Sequence, residues 1–261
     1  MKKLIYQVYV GNRSKLYDWC TDSVRQYAKR IGADYILQTK PILKIAPNPF
    51  TTERKDRTGG WKKIGYLPIF EKENAFEHFD RFDQICIVDA DIFIRDNAPD
   101  VFSYIDRQSD FAGVVEREGP LTEDHKIKIR NYSHMQYGPL HSNKLDFNPN
   151  KDGFEFFNMG MMLMNKSITK YLHGQNAKQF VQRAEFWKFV DGVGPWKWST
   201  DQTLLNYWVK NENMKVTKLE WKWNALYTAV KDVKDAHFIH FYLKDKLPNN
   251  GEDIEKLKCK L

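Results

Sequence analysis

Apolar and polar positions along this chain switch between two periods. Leu4–Val10 is a mostly apolar run between Met1-Lys2-Lys3 and Gly11-Asn12-Arg13-Ser14, which predicts a strand over residues 4–10 and then a turn. Cys20, Val24, Tyr27 and Ile31 follow at helical spacing, with Ser14 placed to cap the start and Gly32 the end. Asp34–Leu37 reads as a second strand, so the chain opens with a parallel, right-handed strand–helix–strand unit. Its first turn carries no glycine-rich phosphate fingerprint, which argues against dinucleotide-binding and P-loop readings. Residues 40–60 form a long polar loop with Pro41, Pro47, Pro49 and a Gly59-Gly60 pair. Ile64, Leu67, Phe70 and Phe76 predict a helix from about Trp61 to His78, kinked or ended early by Pro68.

The most apolar short stretch comes next. Ile85-Cys86-Ile87-Val88 reads as a buried central strand, and the extended run to Ile94 carries Asp89-Ala90-Asp91 where that strand should end. In extended chain, residues i and i+2 point the same way, so Asp89 and Asp91 can aim at one point beyond the strand's carboxyl edge. Ligands collect at that edge in open α/β sheets. Two anions held that close call for a cation, and oxygen ligands suit Mg²⁺ or Mn²⁺. A strand followed by a solvated aspartate turn is the competing reading.

Beyond this point Asn97–Phe102 predicts a short capped helix and Asp110–Val115 a strand. Residues 116–153 are polar and without clear period; they read as an insertion over the site on the acceptor side, or as a surface excursion. Phe156–Asn165 predicts a strand, helices follow at about 174–190 and 201–211, residues 216–223 are mixed, and Ala236–Phe241 is a last short strand. A basic tail runs from Lys244 to residue 261. Strands alternating with helices give a single α/β domain over residues 1–261.

Composition narrows the partners. With 261 residues, 42% hydrophobic and 29% charged, the chain is of ordinary globular type and long enough for a sizeable core. Aromatic residues reach 15%, with 8 Trp, which suggests stacking surfaces for sugars or bases; Trp196, Trp198, Trp221 and Trp223 are candidates. The net charge of +7 favours polyanionic partners, but Lys and Arg are dispersed, so no nucleic acid is expected. Cys20, Cys86 and Cys259 form no paired motif and read as free thiols of a reducing compartment. The N-terminal residues do not fit a signal peptide and no stretch is long enough to span a bilayer. The expectation is a cytoplasmic protein, with peripheral membrane contact and oligomeric state left open.

Asp89-Ala90-Asp91 at the end of an apolar strand resembles the metal-binding Asp-x-Asp of nucleotide-sugar glycosyltransferases of the GT-A fold. Four further stretches resemble family 8 of those enzymes, the group of glycogenin and bacterial lipopolysaccharide galactosyltransferases. They are Lys62-Lys63-Ile64, Phe157-Asn158-Met159-Gly160, Ser199–Asn206 with its Asp201-Gln202 pair, and His240-Phe241-Tyr242-Leu243-Lys244-Asp245-Lys246-Leu247-Pro248. Leu243 stands where the family has Gly, and Leu247 separates Lys246 from Pro248. The resemblance implies one GT-A-like domain with a Rossmann-like, mostly parallel sheet flanked by helices. It implies metal ligation by Asp89, Asp91 and His240, donor contacts from Val10, Tyr17, Lys63, Ala90, Gly160, Asn224 and Lys246, and catalytic roles for Asp201, Gln202 and Asn158. It implies hexose transfer from a nucleotide-sugar, expected to be UDP-linked, to a hydroxyl of a glycan, lipid or protein, with retention of configuration. Imidazole suits Mn²⁺ better than Mg²⁺, so His240 tilts the expected ion to Mn²⁺.

Other readings compete. A haloacid-dehalogenase-type phosphatase also places Asp-x-Asp after an apolar strand, but there Gly and Thr or Val usually follow; here Ile92-Phe93 do. A two-metal nucleotidyltransferase would need a glycine-rich phosphate loop that is missing. A non-catalytic glycan-binding protein of the same fold is disfavoured by the intact Asp89, Asp91 and His240 set.

Overall fold

The first strand, β1 (Lys3–Val8), is followed by α1 (Lys15–Ile31) and by β2 (Asp34–Gln38), which pairs with β1 in parallel. The structure is a computed structural model that describes residues 1–54, 60–259 and 261; Gly59 of the expected loop lies outside them. Ser14 has the extended backbone of an N-cap but its side chain caps nothing. Its hydroxyl donates to Glu252, whose other carboxylate oxygen accepts the first helical N–H, from Lys15, at 3.0 Å. A carboxylate from the C-terminal segment therefore does the capping, where the helix dipole favours negative charge.

The expected helix from Trp61 breaks early. A short α2 (Gly60–Ile64) ends at Gly65, which has φ 83°, and a 3-10 segment, Pro68–Asp80, follows. In that segment Glu71, Lys72, Glu73 and Asn74 are all buried. Glu71 explains the path of the preceding loop. Its carboxylate accepts the backbone N–H groups of Ile42, Leu43 and Lys44 and the side-chain amide of Gln38.

Next comes β3 (Gln84–Asp89), parallel to β1 and central in a sheet of order β2-β1-β3-β6-β5-β7, where β5 is Phe111–Val115, β6 Phe157–Asn165 and β7 Val216–Leu219. Ile85 and Ile87 face one core layer and Cys86 and Val88 the other, which is why the run is apolar throughout. Each such side chain contributes about 1.5–3 kcal/mol of burial. The chain turns out of this sheet at Ala90 and Asp91; the extended run to Ile94 is therefore two strands, and β4 (Ile92–Ile94) belongs to a second sheet. The expected helix near residues 97–102 is a 3-10 turn over Val101–Tyr104 capped by Asp100. β5 (Phe111–Val115) runs antiparallel to the later β6.

Residues 116–153 are not a loop: they hold the 20-residue α3 (Glu123–Ser142), interrupted neither by Gly138 nor by Pro139. β6 (Phe157–Asn165) is antiparallel to β3 and β5. The single helix expected over 174–190 is instead two five-residue helices, α4 (Ala177–Val181) and α5 (Trp187–Asp191), with a 3-10 turn between them. α6 (Asp201–Asn211) then leads to β7 (Val216–Leu219), parallel to β5. β8 (Ala225–Leu226) and β9 (Phe238–His240) join β4 in the order β4-β9-β8. α7 (Ile254–Lys258) ends the described chain, and the tail is anchored, with Leu247 and Leu257 buried. No described helix is long and apolar enough to cross a membrane.

Glu71→Gln replaces a carboxylate that holds three consecutive backbone N–H groups. We expect a loss of about 2 kcal/mol in denaturant unfolding, the scale of a hydrogen bond to a charged acceptor, and faster proteolysis at residues 42–54. Unchanged stability and cleavage would show that the loop is held elsewhere.

Candidate active site

Topology brings the aspartates and the histidine together. Asp89 ends β3, and Ile92, just after Asp91, pairs with His240 of β9. The Phe241 N–H donates to the Asp91 carbonyl at 2.9 Å, locking the two segments. One ligand atom from each of Asp89, Asp91 and His240 falls within 4.8 Å of the others. His240 Nε2 lies 3.3 Å from Asp91 Oδ1 and 4.0 Å from Asp89 Oδ2.

A chain of buried side chains fixes the histidine. Glu116 accepts from Asn158 Nδ2 at 2.8 Å. Asn158 Oδ1 accepts from the Gly160 N–H and from Asn224 Nδ2. That leaves Asn224 Oδ1 as the acceptor for His240 Nδ1, at 3.0 Å. A backbone N–H can only donate and a carboxylate only accept, so the chain has one direction. It assigns the proton of neutral His240 to Nδ1 and turns the Nε2 lone pair toward Asp89 and Asp91. A divalent cation fits such a set: two hard carboxylates and an oriented imidazole. Burial works against charge on all three groups, yet Asp91 is held below the usual carboxylate range by His240, and His240 is raised by Asp91. Burial and the neighbouring Asp91 raise Asp89, against the pull of Lys72 and His240.

A second charge cluster lies beside the first. Lys72 Nζ donates to Asp89 Oδ1 and to the Met159 carbonyl, both at 2.8 Å, and stands 2.9 Å from Asp201 Oδ2. The last contact is an ion pair without the alignment of a hydrogen bond, since Asp201 Oδ2 has no hydrogen-bond partner by geometry. Burial would lower the Lys72 pKa, but Asp201 and Asp89 carry it above the ordinary value. Met159 lies beyond the last β3 pair, Val88 with Met161, and at an irregularity of β6 on its other side. The pairing of β6 with β5 jumps from Met162 to Asn158, so Met159–Met161 have no partner there. Burial and Asp201 hold the neighbouring Glu73 carboxyl well above the carboxylate range, and neither of its oxygens has a partner.

Two clefts meet at this cluster and share Ile69, Lys72, Asp89 and Asp201. The smaller, about 260 Å³, is walled by Val10, Tyr17, Ala90 and Asp91. The larger, about 470 Å³, is lined by Asn158, Gly160, Gln202 and His240. Gln202 is held by the Met159 N–H at 3.2 Å. Thr200, not Asp201, caps α6, which leaves the Asp201 carboxylate for Lys72.

Three expected donor contacts are placed differently. Lys63 is exposed on α2 and lines neither cleft; Lys72 stands at the junction instead. Lys246 is exposed and lines neither cleft. Asn224 is buried behind His240 rather than open to a substrate. Of the four tryptophans, Trp198 lines the larger cleft, whereas Trp196 and Trp223 are core residues. The larger cleft also holds Glu116, Lys128, Ile129, Tyr132 and Tyr242, none of them expected there individually; three come from α3.

Residues 12–246 match the family model described as Glycosyl transferase family 8. Three solved structures share the fold. A glycosyltransferase involved in glycosylation of the major capsid of PBCV-1 has 12% identity and a TM-score of 0.56, covering 98% of this chain and 100% of that one. Mouse xyloside xylosyltransferase 1, in its apo form, has 12% identity and a TM-score of 0.54, with 95% and 100% covered. The galactosyltransferase LgtC, in complex with donor and acceptor sugar analogs, has 13% identity and a TM-score of 0.54, with 92% and 87% covered. No curated protein sequence matches the chain.

A Cβ at position 160 would strike the His240 ring, 2.6 Å from Nδ1, and crowd Asn158 Oδ1 at 3.0 Å. We expect Gly160→Ala to cost about 1–3 kcal/mol in unfolding stability, the range for overpacking a filled site. A wild-type unfolding curve would show that His240 can swing aside freely.

Proposed function

Because this chain belongs to glycosyl transferase family 8, and is thus a glycosyltransferase, we propose that it moves a hexose from a UDP-sugar to a hydroxyl of a glycan, lipid or protein, with Mn²⁺ as its ion and with retention of configuration. The observation that carries this reading is the meeting of the two clefts at Lys72, Asp89 and Asp201, beside the Asp89, Asp91 and His240 set. The smaller cleft suits the nucleotide and the larger one the transferred sugar and the acceptor. The junction is then where the bond to the anomeric carbon breaks.

A nucleoside diphosphate leaves readily only if its growing negative charge is met. A divalent cation on Asp89, Asp91 and His240 Nε2 would supply Lewis-acid stabilisation of that charge. Lys72 adds a fixed positive charge at the same place, already desolvated and held by three partners. Asp201, beside Lys72 at the junction, offers negative charge to the cationic sugar of the transition state. Gln202 and Asn158, each pinned by a backbone N–H or a carboxylate, suit the orientation of sugar hydroxyls. The buried thiols of Cys20 and Cys86, with Cys259 also free, support a reducing, cytoplasmic setting; peripheral contact with a membrane fits a lipid-linked acceptor.

The test is nucleotide release from UDP-glucose, UDP-galactose, UDP-N-acetylglucosamine and GDP-mannose, with Mn²⁺ or excess chelator. We expect release from one UDP-sugar with Mn²⁺, and its loss in chelator and in Asp91→Ala, while the variant melts within a few degrees of wild type. Full turnover in chelator would remove the metal, and turnover of GDP-mannose alone would remove the UDP assignment.

A further inference from the structure

Besides Lys72, a second lysine turns toward the wall of the smaller cleft, which Asp91 shares with Tyr17. Lys72, shared by the two clefts, contacts Asp89. Lys244 is half-buried just outside the linings of both clefts, with Nζ 3.3 Å from the centroid of the Tyr17 ring. Tyr17 is a wall of the smaller cleft.

The backbone explains why this lysine, and not Lys246, turns inward. After β9 the chain reverses at Leu243, which has φ 58° and ψ 64°, the left-handed region that leucine seldom adopts. Lys244–Lys246 then form one 3-10 turn, closed by the Leu247 N–H donating to the Lys244 carbonyl at 2.9 Å. Residues three apart in such a turn share a side. Leu247 is buried in the cluster that includes Leu16 and Tyr17, so Lys244 lies on that side too. Lys246 falls off it and is exposed. Leu243 itself lines the larger cleft, so the reversal occurs at the site.

Resting on the nucleotide-sugar reading, we propose that Lys244, rather than Lys246, is the second cation for the donor's diphosphate, opposite Lys72. Its present partner is the face of a tyrosine, a weaker attraction than a charge-assisted bond to phosphate oxygen. A diphosphate beside Asp91 therefore offers Lys244 the better partner within reach of the same side-chain stem. Lys72 and Lys244 would then bracket the phosphates from both ends of the aspartate pair.

Isothermal titration with UDP in saturating Mn²⁺ tests this on wild type, Lys244→Met and Lys246→Met; Met keeps the apolar stem on Tyr17 and removes the charge. We expect Lys244→Met to weaken UDP about tenfold or more, the scale of one lost charge-assisted contact, and Lys246→Met to change it less than about twofold. Uridine, which has no phosphate, should bind Lys244→Met as it binds wild type, and Lys244→Arg should recover most of the UDP affinity. Equal weakening of UDP and uridine would reduce Lys244 to a packing role and overturn the proposal. So would a UDP loss in Lys246→Met as large as in Lys244→Met. Failure of wild type to bind UDP, GDP or ADP with Mn²⁺ would instead overturn the nucleotide reading, an outcome visible without any variant.

Discussion

A buried ammonium organises this site. Taking a lysine charge out of water costs several kcal/mol even after relaxation, and only close, well-aligned partners offset it. Lys72 has two hydrogen-bond acceptors and one further ion-pair partner, each from a different part of the chain: Asp89 at the end of β3 and the Met159 carbonyl of β6 accept its protons, and Asp201 in the first turn of α6 adds its charge at 2.9 Å. The 3-10 segment that carries Lys72 is thereby tied to the central sheet and to the helix behind it. Glu73, next in sequence, is kept out of this balance because burial favours its neutral form. The ammonium at the junction of the clefts is thus held in place by the fold itself, the preorganisation on which electrostatic stabilisation depends.

The metal-type cluster depends on a second polar chain, and on the small sheet that holds it. The β4–β9 ladder puts His240 opposite Ile92, and Glu116, Asn158 and Asn224 set the ring's proton. Every link from Glu116 to His240 is buried and hydrogen-bonded, so the chain specifies one arrangement; a missing link would leave a buried polar group unpaired. Glu116 also lies 3.4 Å from His125 of α3, and His125 in turn contacts the Tyr242 hydroxyl at 3.1 Å. The helix that walls the larger cleft is thus connected to the histidine.

Much of this was legible in the sequence wherever burial writes a run or a period. The apolar stretch ending in Asp89-Ala90-Asp91 is a central strand parallel to β1, and the mixed α/β fold follows from the alternation of strands and helices. What stayed hidden has physical causes. Four consecutive polar residues, Glu71 to Asn74, belong to no apolar run or period, yet all are buried, and Glu71, Lys72 and Asn74 find their partners only in tertiary structure; hence the resemblance pointed to Lys63 and nothing local to Lys72. α3 lacks a strong apolar stripe, since its inward face carries His125, Ser133 and Gln136. The cap of α1 comes from Glu252, which no local pattern can reveal. Lys244 turns toward the site in place of Lys246 because a leucine takes a backbone conformation that favours glycine.

The Lys72–Asp201 interaction can be measured alone with a double-mutant cycle in denaturant unfolding, using Lys72→Met, Asp201→Asn and the pair. If the buried ammonium holds α6 to β3, the two changes should be coupled by about 1–3 kcal/mol, as expected for contacting groups in one network. Additivity within about 0.3 kcal/mol would mean that the two side chains are near each other without depending on each other, and Lys72 would then not be the group that organises the site.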